Sequence, residues 1–210
     1  MNTPPPNWKR NLERNGGYGS DPSWYDLHLN RRMPLVMPML EELLMALPPL
    51  APGTSVCDVA CGTGNAAATV LEAYPQIHVT LLDPDADLLA VAEAKVDQYT
   101  PHHEALRVTL NPEEDAALPG GPYDVVLASL ALHAIVGHDV DPAEAALHYE
   151  LLLRGIRESL ASGGHLFIGD HVGTLPLYDQ LKAMDRAGFT DVDCAWRQDD
   201  FFVAGGRVAA

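Results

Sequence analysis

The residues best placed to hold a ligand are Asp58, Gly62, Gly64 and Asp83. The stretch VCDVACGTGN, residues 56–65, is an apolar run that carries a carboxylate and then breaks into Gly62-Thr63-Gly64. Glycine has no side chain to keep its backbone away from a bound molecule. Ala67 completes the pattern G-x-G-x-x-A. Asp83 closes the next apolar run, HVTLLD, about 20 residues further on, where a carboxylate can accept the hydroxyls of an adenosine ribose. The pattern therefore predicts a nucleoside site. Asp58, just ahead of the glycines, suits a ligand with an ammonium group rather than a pyrophosphate.

Proton transfer has its own candidates. His133 follows a fourth apolar run, YDVVLASL, and His171 follows a fifth, GGHLFIGD, with His138 just beyond the first of them. An imidazole can take a proton from a hydroxyl or an amine near neutral pH. His133 is the first choice, because it follows the run whose end faces the expected ligand crevice. The cysteines, Cys57, Cys61 and Cys194, form no C-x-x-C pair, and no His cluster has zinc spacing, so no metal is expected.

These residues fall at the ends of alternating elements. TSVCDVA, HVTLLD, EALRVTL, YDVVLASL and GGHLFIGD read as strands. Helical patterns lie between them: NAAATVLEAY, ADLLAVAEAKVDQY, a long one over 142–162, and PLYDQLKAMDRAGF after the fifth strand. Gly163-Gly164 reads as the stop of the long helix. A further helix spans 35–47, with Pro38 in an early turn. TDVDCAWRQ and FFVAGGRV are separated only by Asp199-Asp200, so they must pair antiparallel. Repeated β–α alternation predicts an α/β, doubly wound, mostly parallel sheet closed by that C-terminal hairpin. In such sheets ligands sit beyond the carboxyl ends of the strands, at the topological switch point.

Composition narrows the partners. The 210 residues carry 29 acids against 13 bases, a formal charge of −16. Such a chain repels polyanions, so nucleic acid is not expected as a substrate. No apolar run reaches membrane-spanning length and the N-terminus has no signal core, so a cytoplasmic protein is expected. Residues 1–34 read as a flexible segment or lid, and 35–210 as one domain.

Taken in order, VCDVACGTGN, LLDPD, EEDAALP, YDVVLASLALHAI and ESLASGGHLFIGD resemble a class I S-adenosylmethionine-dependent methyltransferase of the small, single-domain type. The resemblance covers about residues 35–208 and implies a Rossmann-like, seven-stranded sheet with its final strand antiparallel. It implies that Asp58 and the backbone of Ala60, Gly62 and Gly64 approach the methionyl part of the cofactor. Asp83 would hold the ribose, with Pro84 and Asp85 beside it. Asp115 and Ala116 would meet the adenine, although Glu114 stands where the family usually has glycine. Ser129 and Leu130 would line the cofactor and face a small-molecule substrate. Trp24, Tyr25, Arg31 and Arg32 would fold over the site as a lid. Two alternatives remain open at this stage: a nucleoside-binding regulatory protein without catalysis, and an NAD-dependent oxidoreductase.

Overall fold

A computed structural model describes residues 22–210. Two helices open this part of the chain, α1 (Pro22–Arg32) and α2 (Val36–Ala46). The alternation follows: β1 (Ser55–Val59), α3 (Asn65–Ala73), β2 (His78–Asp83), α4 (Ala86–Val96), β3 (His103–Arg107) and β4 (Tyr123–Ser129). After it come α5 (Leu132–Val136), α6 (Pro142–Glu158), β5 (Leu160–His171), α7 (Leu177–Ala187), β6 (Thr190–Gln198) and β7 (Phe201–Arg207).

The seven strands form one sheet in the order β3-β2-β1-β4-β5-β7-β6. β1 pairs in parallel with both β2 and β4, so the chain reverses its winding direction there. The glycine turn leaves β1 at this switch point. β7 alone runs against its neighbours, pairing antiparallel with β5 and with β6. This is the sheet expected from the repeated alternation and the closing hairpin.

The run from Val56 to Val59 is buried throughout, because β1 is central and covered on both faces. Its alternate residues feed two separate cores. Cys57 and Val59 join Val126, Leu166 and the apolar faces of α6 and α7. Val56 joins Val79, Leu81, Val125 and the faces of α2, α3 and α4. Caps set two helix starts. Asp85 accepts the N–H groups of Asp87 and Leu88 ahead of α4, and Asp141 accepts those of Ala143 and Glu144 ahead of α6, where Pro142 suits the first turn.

One expectation needs correction. The long helix ends at Glu158, not 162, with Ser159 as its C-cap. Gly163 and Gly164 lie inside β5, where Gly163 takes a positive φ of 78° and the pairing with β4 shifts register between Tyr123 and Val125. Glycine here bends a strand rather than stopping a helix. His133, expected just after the fourth strand, lies there on the short helix α5. Within the segment read as flexible or a lid, Pro22 to Arg32 is helical. The rest of that segment, residues 1–21, lies outside the described residues. No helix among the described residues is long and apolar enough to cross a membrane.

Candidate active site at the glycine turn

A cavity of about 370 Å³ opens at the carboxyl ends of β1, β2 and β4. Ala60, Gly62, Asp83, Pro84 and Leu130 line it, together with Asp85, Leu88, Val108, Thr109, Leu110 and Ile135. Two of these residues hold unusual backbone. Ala60 has φ of 49° and Leu130 has φ of 52°, each just past the end of its strand. A left-handed conformation costs a non-glycine residue about 1–2 kcal/mol, and such outliers gather where a ligand site dictates the chain path.

Asp83 organises the turn. Its Oδ2 accepts the Gly62 N–H at 2.8 Å and its Oδ1 accepts the Asp85 N–H at 2.9 Å. Burial pushes this carboxyl up, and the two N–H groups partly offset that. Asp58 is fully buried. Its Oδ2 accepts the Ala67 N–H at 3.0 Å, at the start of α3, while its Oδ1 has no partner. Burial raises Asp58 to about 7, with the charge of Asp83 adding and the Ala67 N–H opposing. A buried acid with an unpartnered oxygen is what a positively charged ligand would relieve. Asp83, the glycine turn and the apolar wall line the cavity and fit a nucleoside, whereas Asp58 is wholly buried and is not part of that lining. Burial also drives the Cys57 and Cys61 thiols up, so neither is a ready nucleophile.

The two glycines do different work. Gly62 (φ 55°) has the Tyr25 ring 3.8 Å from where a Cβ would stand. Gly64 (φ 75°) abuts Ala92 of α4, which lies 2.9 Å from such a Cβ. So Gly62 faces the cavity and Gly64 allows close helix packing. Tyr25 brings α1 to the cavity wall. The neighbouring Asp26 fastens that helix: it accepts from Thr63 Oγ1 at 2.6 Å and Asn65 Nδ2 at 3.0 Å, and pairs with Lys95 at 3.2 Å. Arg31 and Arg32 are exposed at the far end of α1. The Trp24 side chain is outside the described residues.

Asp115 and Ala116 are not brought to the cavity. Both are exposed, and their backbone packs against Gly155 of α6. Val108, Thr109 and Leu110 form the wall instead. Ser129 ends β4 beside the cavity residue Leu130, whose N–H is held by the Gly169 carbonyl at 2.8 Å.

The two histidines come together at the ends of β4 and β5, beside the cavity rather than in its wall. Their rings lie 4.0 Å apart, and His138 is 5.7 Å from His133. Between them is Asp170, which has no exposure to solvent. Its Oδ1 lies 2.5 Å from His133 Nδ1 and accepts the His171 N–H at 2.8 Å, while its Oδ2 accepts the His133 N–H at 3.3 Å. Burial, then the neighbouring His133, lowers His171. The buried Tyr149 hydroxyl, which has no partner, is pushed up by burial and by the charge of Asp170. His133, Asp170 and His171 each offer a ligand atom within 4.8 Å of the others. Two bonds of about 2.1 Å through one ion would hold their atoms ~3 Å or more apart, so His133 and Asp170 at 2.5 Å share a proton, not an ion. Asp170 closes the fifth strand run beside His171, and that acid–imidazole adjacency was the signal available for it. Asp26 had none.

Residues 57–166 match a family model described as a methyltransferase domain. The chain is 30% identical over 95 residues to a trans-aconitate 2-methyltransferase of Azoarcus sp. (strain BH72), a match covering 45% of this chain and 34% of that protein. The chain thus spans about a third of that relative's length. Among solved structures it resembles the S-adenosylmethionine-dependent methyltransferase SibL in its apo form, with a TM-score of 0.67 and 18% identity over 95% of this chain and 62% of that one. It also resembles a TehB-like SAM-dependent methyltransferase from Corynebacterium glutamicum, with a TM-score of 0.61 and 17% identity over 90% of this chain and 100% of that one. These two likenesses are of fold.

Proposed function

The chain belongs to the methyltransferase-domain family, and on that footing we propose that it moves a methyl group from S-adenosylmethionine to an oxygen or nitrogen of a small molecule. One observation carries the reading: the buried Asp58 carboxylate keeps an unpartnered oxygen beside the glycine turn that Asp83 holds. That suits the cationic methionyl end of this cofactor better than a pyrophosphate, and so disfavours NAD.

When bound, S-adenosylmethionine supplies an electrophilic methyl carbon. Asp58 and the backbone of Ala60 and Gly62 would hold its methionyl end, and Asp83 with Pro84 its ribose. Leu88, Val108, Leu110 and Ile135 offer an apolar wall for the base. We give the adenine to these residues and not to Asp115 and Ala116. Leu130, Ala134 and Ile135 line this cavity, with Ser129 next to Leu130 and His133 next to Ala134 in the chain, so the acceptor would enter from the His133 side. The chain's main contribution is to hold the acceptor in line, since proximity alone can lower a barrier by about 7–11 kcal/mol. His133 would serve as base, with His171 beside it.

The Azoarcus relative is named for trans-aconitate, a tricarboxylate. Among the described residues no Lys or Arg lines the cofactor cavity, and His133, on the acceptor side, is paired with an acid, which favours an acceptor other than a triply negative one. The charge of −16 likewise disfavours nucleic acid. We assign the protein to the cytoplasm, where free thiols such as Cys57 and Cys61 persist.

Calorimetry with S-adenosylhomocysteine, S-adenosylmethionine and NAD in parallel tests the cofactor. We expect both sulfur ligands to bind and NAD not to. Binding of NAD without S-adenosylhomocysteine would overturn the reading. Incubation of a metabolite extract with methyl-labelled cofactor separates an enzyme from a silent nucleoside binder.

A further inference from the structure

We propose that Asp170 is a positioning residue that fixes the proton of His133 on Nδ1, making Nε2 the base, and that the acceptor is therefore one whose reacting atom still carries a proton at neutral pH, such as a phenol, alcohol or amine. This rests on the methyl-transfer reading above.

The geometry is specific. A carboxylate can only accept, so the 2.5 Å contact places a proton between Asp170 Oδ1 and His133 Nδ1. The other ring nitrogen then bears the lone pair. Asp170 cannot swing away, because its oxygens also take the backbone N–H groups of His133 and His171 and it is wholly buried. It thus fixes both the position of α5 relative to β5 and the tautomer of the ring on α5. His171 lacks such a partner on its ring. Its Nδ1 faces the Val172 carbonyl at 3.3 Å rather than an acid. Phe201 of β7 meets the His171 ring edge-on, its centroid 5.9 Å away.

An acceptor that arrives ionised, such as a carboxylate, has no use for this pair. An acceptor that arrives protonated does. Its reacting atom gains the methyl carbon, the sulfur keeps the electron pair of the broken C–S bond, and the acceptor's proton passes to His133 Nε2. Asp170 stabilises the imidazolium that results without taking the proton itself.

Nitrogen-15 NMR of the histidines in the full chain, at a pH where imidazole is neutral, reads the tautomer directly. We expect His133 to be protonated at Nδ1, with and without S-adenosylhomocysteine, and Asp170→Asn to shift it toward the Nε2-protonated form. On an acceptor found by label transfer, Asp170→Asn should lower kcat by roughly 10²–10⁴-fold with little change in KM, and the acid limb of the pH–rate profile should move. Asp170→Glu should recover part of the rate. An Nε2-protonated His133 in the wild-type chain overturns the proposal even if the Asn variant fails to fold. So does a kcat unaffected by Asp170→Asn, an acceptor methylated on a carboxylate, or loss of transfer on treatment with a chelator. Binding of S-adenosylhomocysteine alongside any of these would leave the methyltransferase reading standing.

Discussion

The backbone N–H of Gly62 donates to Asp83 Oδ2 at 2.8 Å, tying the turn after one strand to the carboxylate that ends its neighbour. The acid that would grip the ribose also shapes the glycine turn, and its two roles cannot be mutated apart completely.

Asp83→Ala should therefore weaken S-adenosylhomocysteine binding and lower the melting temperature together. Lost hydrogen bonds to a charged acceptor are worth about 1.5–3 kcal/mol, or roughly 10- to 150-fold in affinity. Calorimetry beside a thermal melt checks both. Unchanged affinity in a folded variant would remove Asp83 from the site.

Asp58, raised to about 7 by burial, gives a pH signature. Between the ordinary carboxylate range and pH 7 the folded chain holds a proton that the unfolded chain has released. Its contribution to stability is thus full below that range, declines as pH rises toward 7, and then levels off. A cationic ligand needs the ionised form, so its affinity should rise with pH over the same window, with proton release below pH 7. Asp58→Asn should flatten both slopes. Melts and calorimetry across pH 5–8 decide; parallel curves for the two proteins would contradict the assignment.

Gly64→Ala should cost more than Gly62→Ala. Both have positive φ, but only at Gly64 would the new methyl meet Ala92, at 2.9 Å. Overpacking of this kind costs about 1–3 kcal/mol, a melting shift of about 2–4 °C for each kcal/mol. At Gly62 the nearest atom is Tyr25 at 3.8 Å, so its variant should melt nearer the wild type while losing ligand affinity. Equal melting temperatures would place the packing contact elsewhere.

Asp26→Ala should loosen α1. It removes the acceptor of Thr63 Oγ1 and Asn65 Nδ2 and one member of the Lys95 pair. Hydrogen exchange over residues 22–32 should speed up and S-adenosylhomocysteine should dissociate faster. An exchange pattern identical to the wild type would mean that α1 is held by its apolar contacts, Leu29 among them.

The sheet and the glycine turn were legible because they are local patterns. Val56 to Gly64 is one continuous run, and the hairpin is forced by a two-residue gap at Asp199-Asp200. What escaped depends on distant pairs. Asp26 meets Thr63 across 37 residues and His133 meets Asp170 across another 37, with no periodicity to announce either. Gly163-Gly164 misled because glycine marks helix stops and strand bends alike, and only the pairing of β5 with β4 separates the two. Asp115 and Ala116 were carried by resemblance, but their backbone lies against α6 where Gly155, lacking a side chain, lets it approach.

The placement of β7 between β5 and β6 sets an order on biosynthesis. β6 leaves the ribosome before the strand it must pair with, so it waits unpaired until Phe201–Arg207 follows. Phe202, Val203 and Ala204, all buried, then close both cores in one stroke, and Phe201 reaches His171 at the same moment. A nascent chain halted short of this strand leaves β5 with an open edge, the kind of surface that chaperones cover and proteases find. The edge of the sheet beside His171 is thus completed only after every other strand of the sheet has been made.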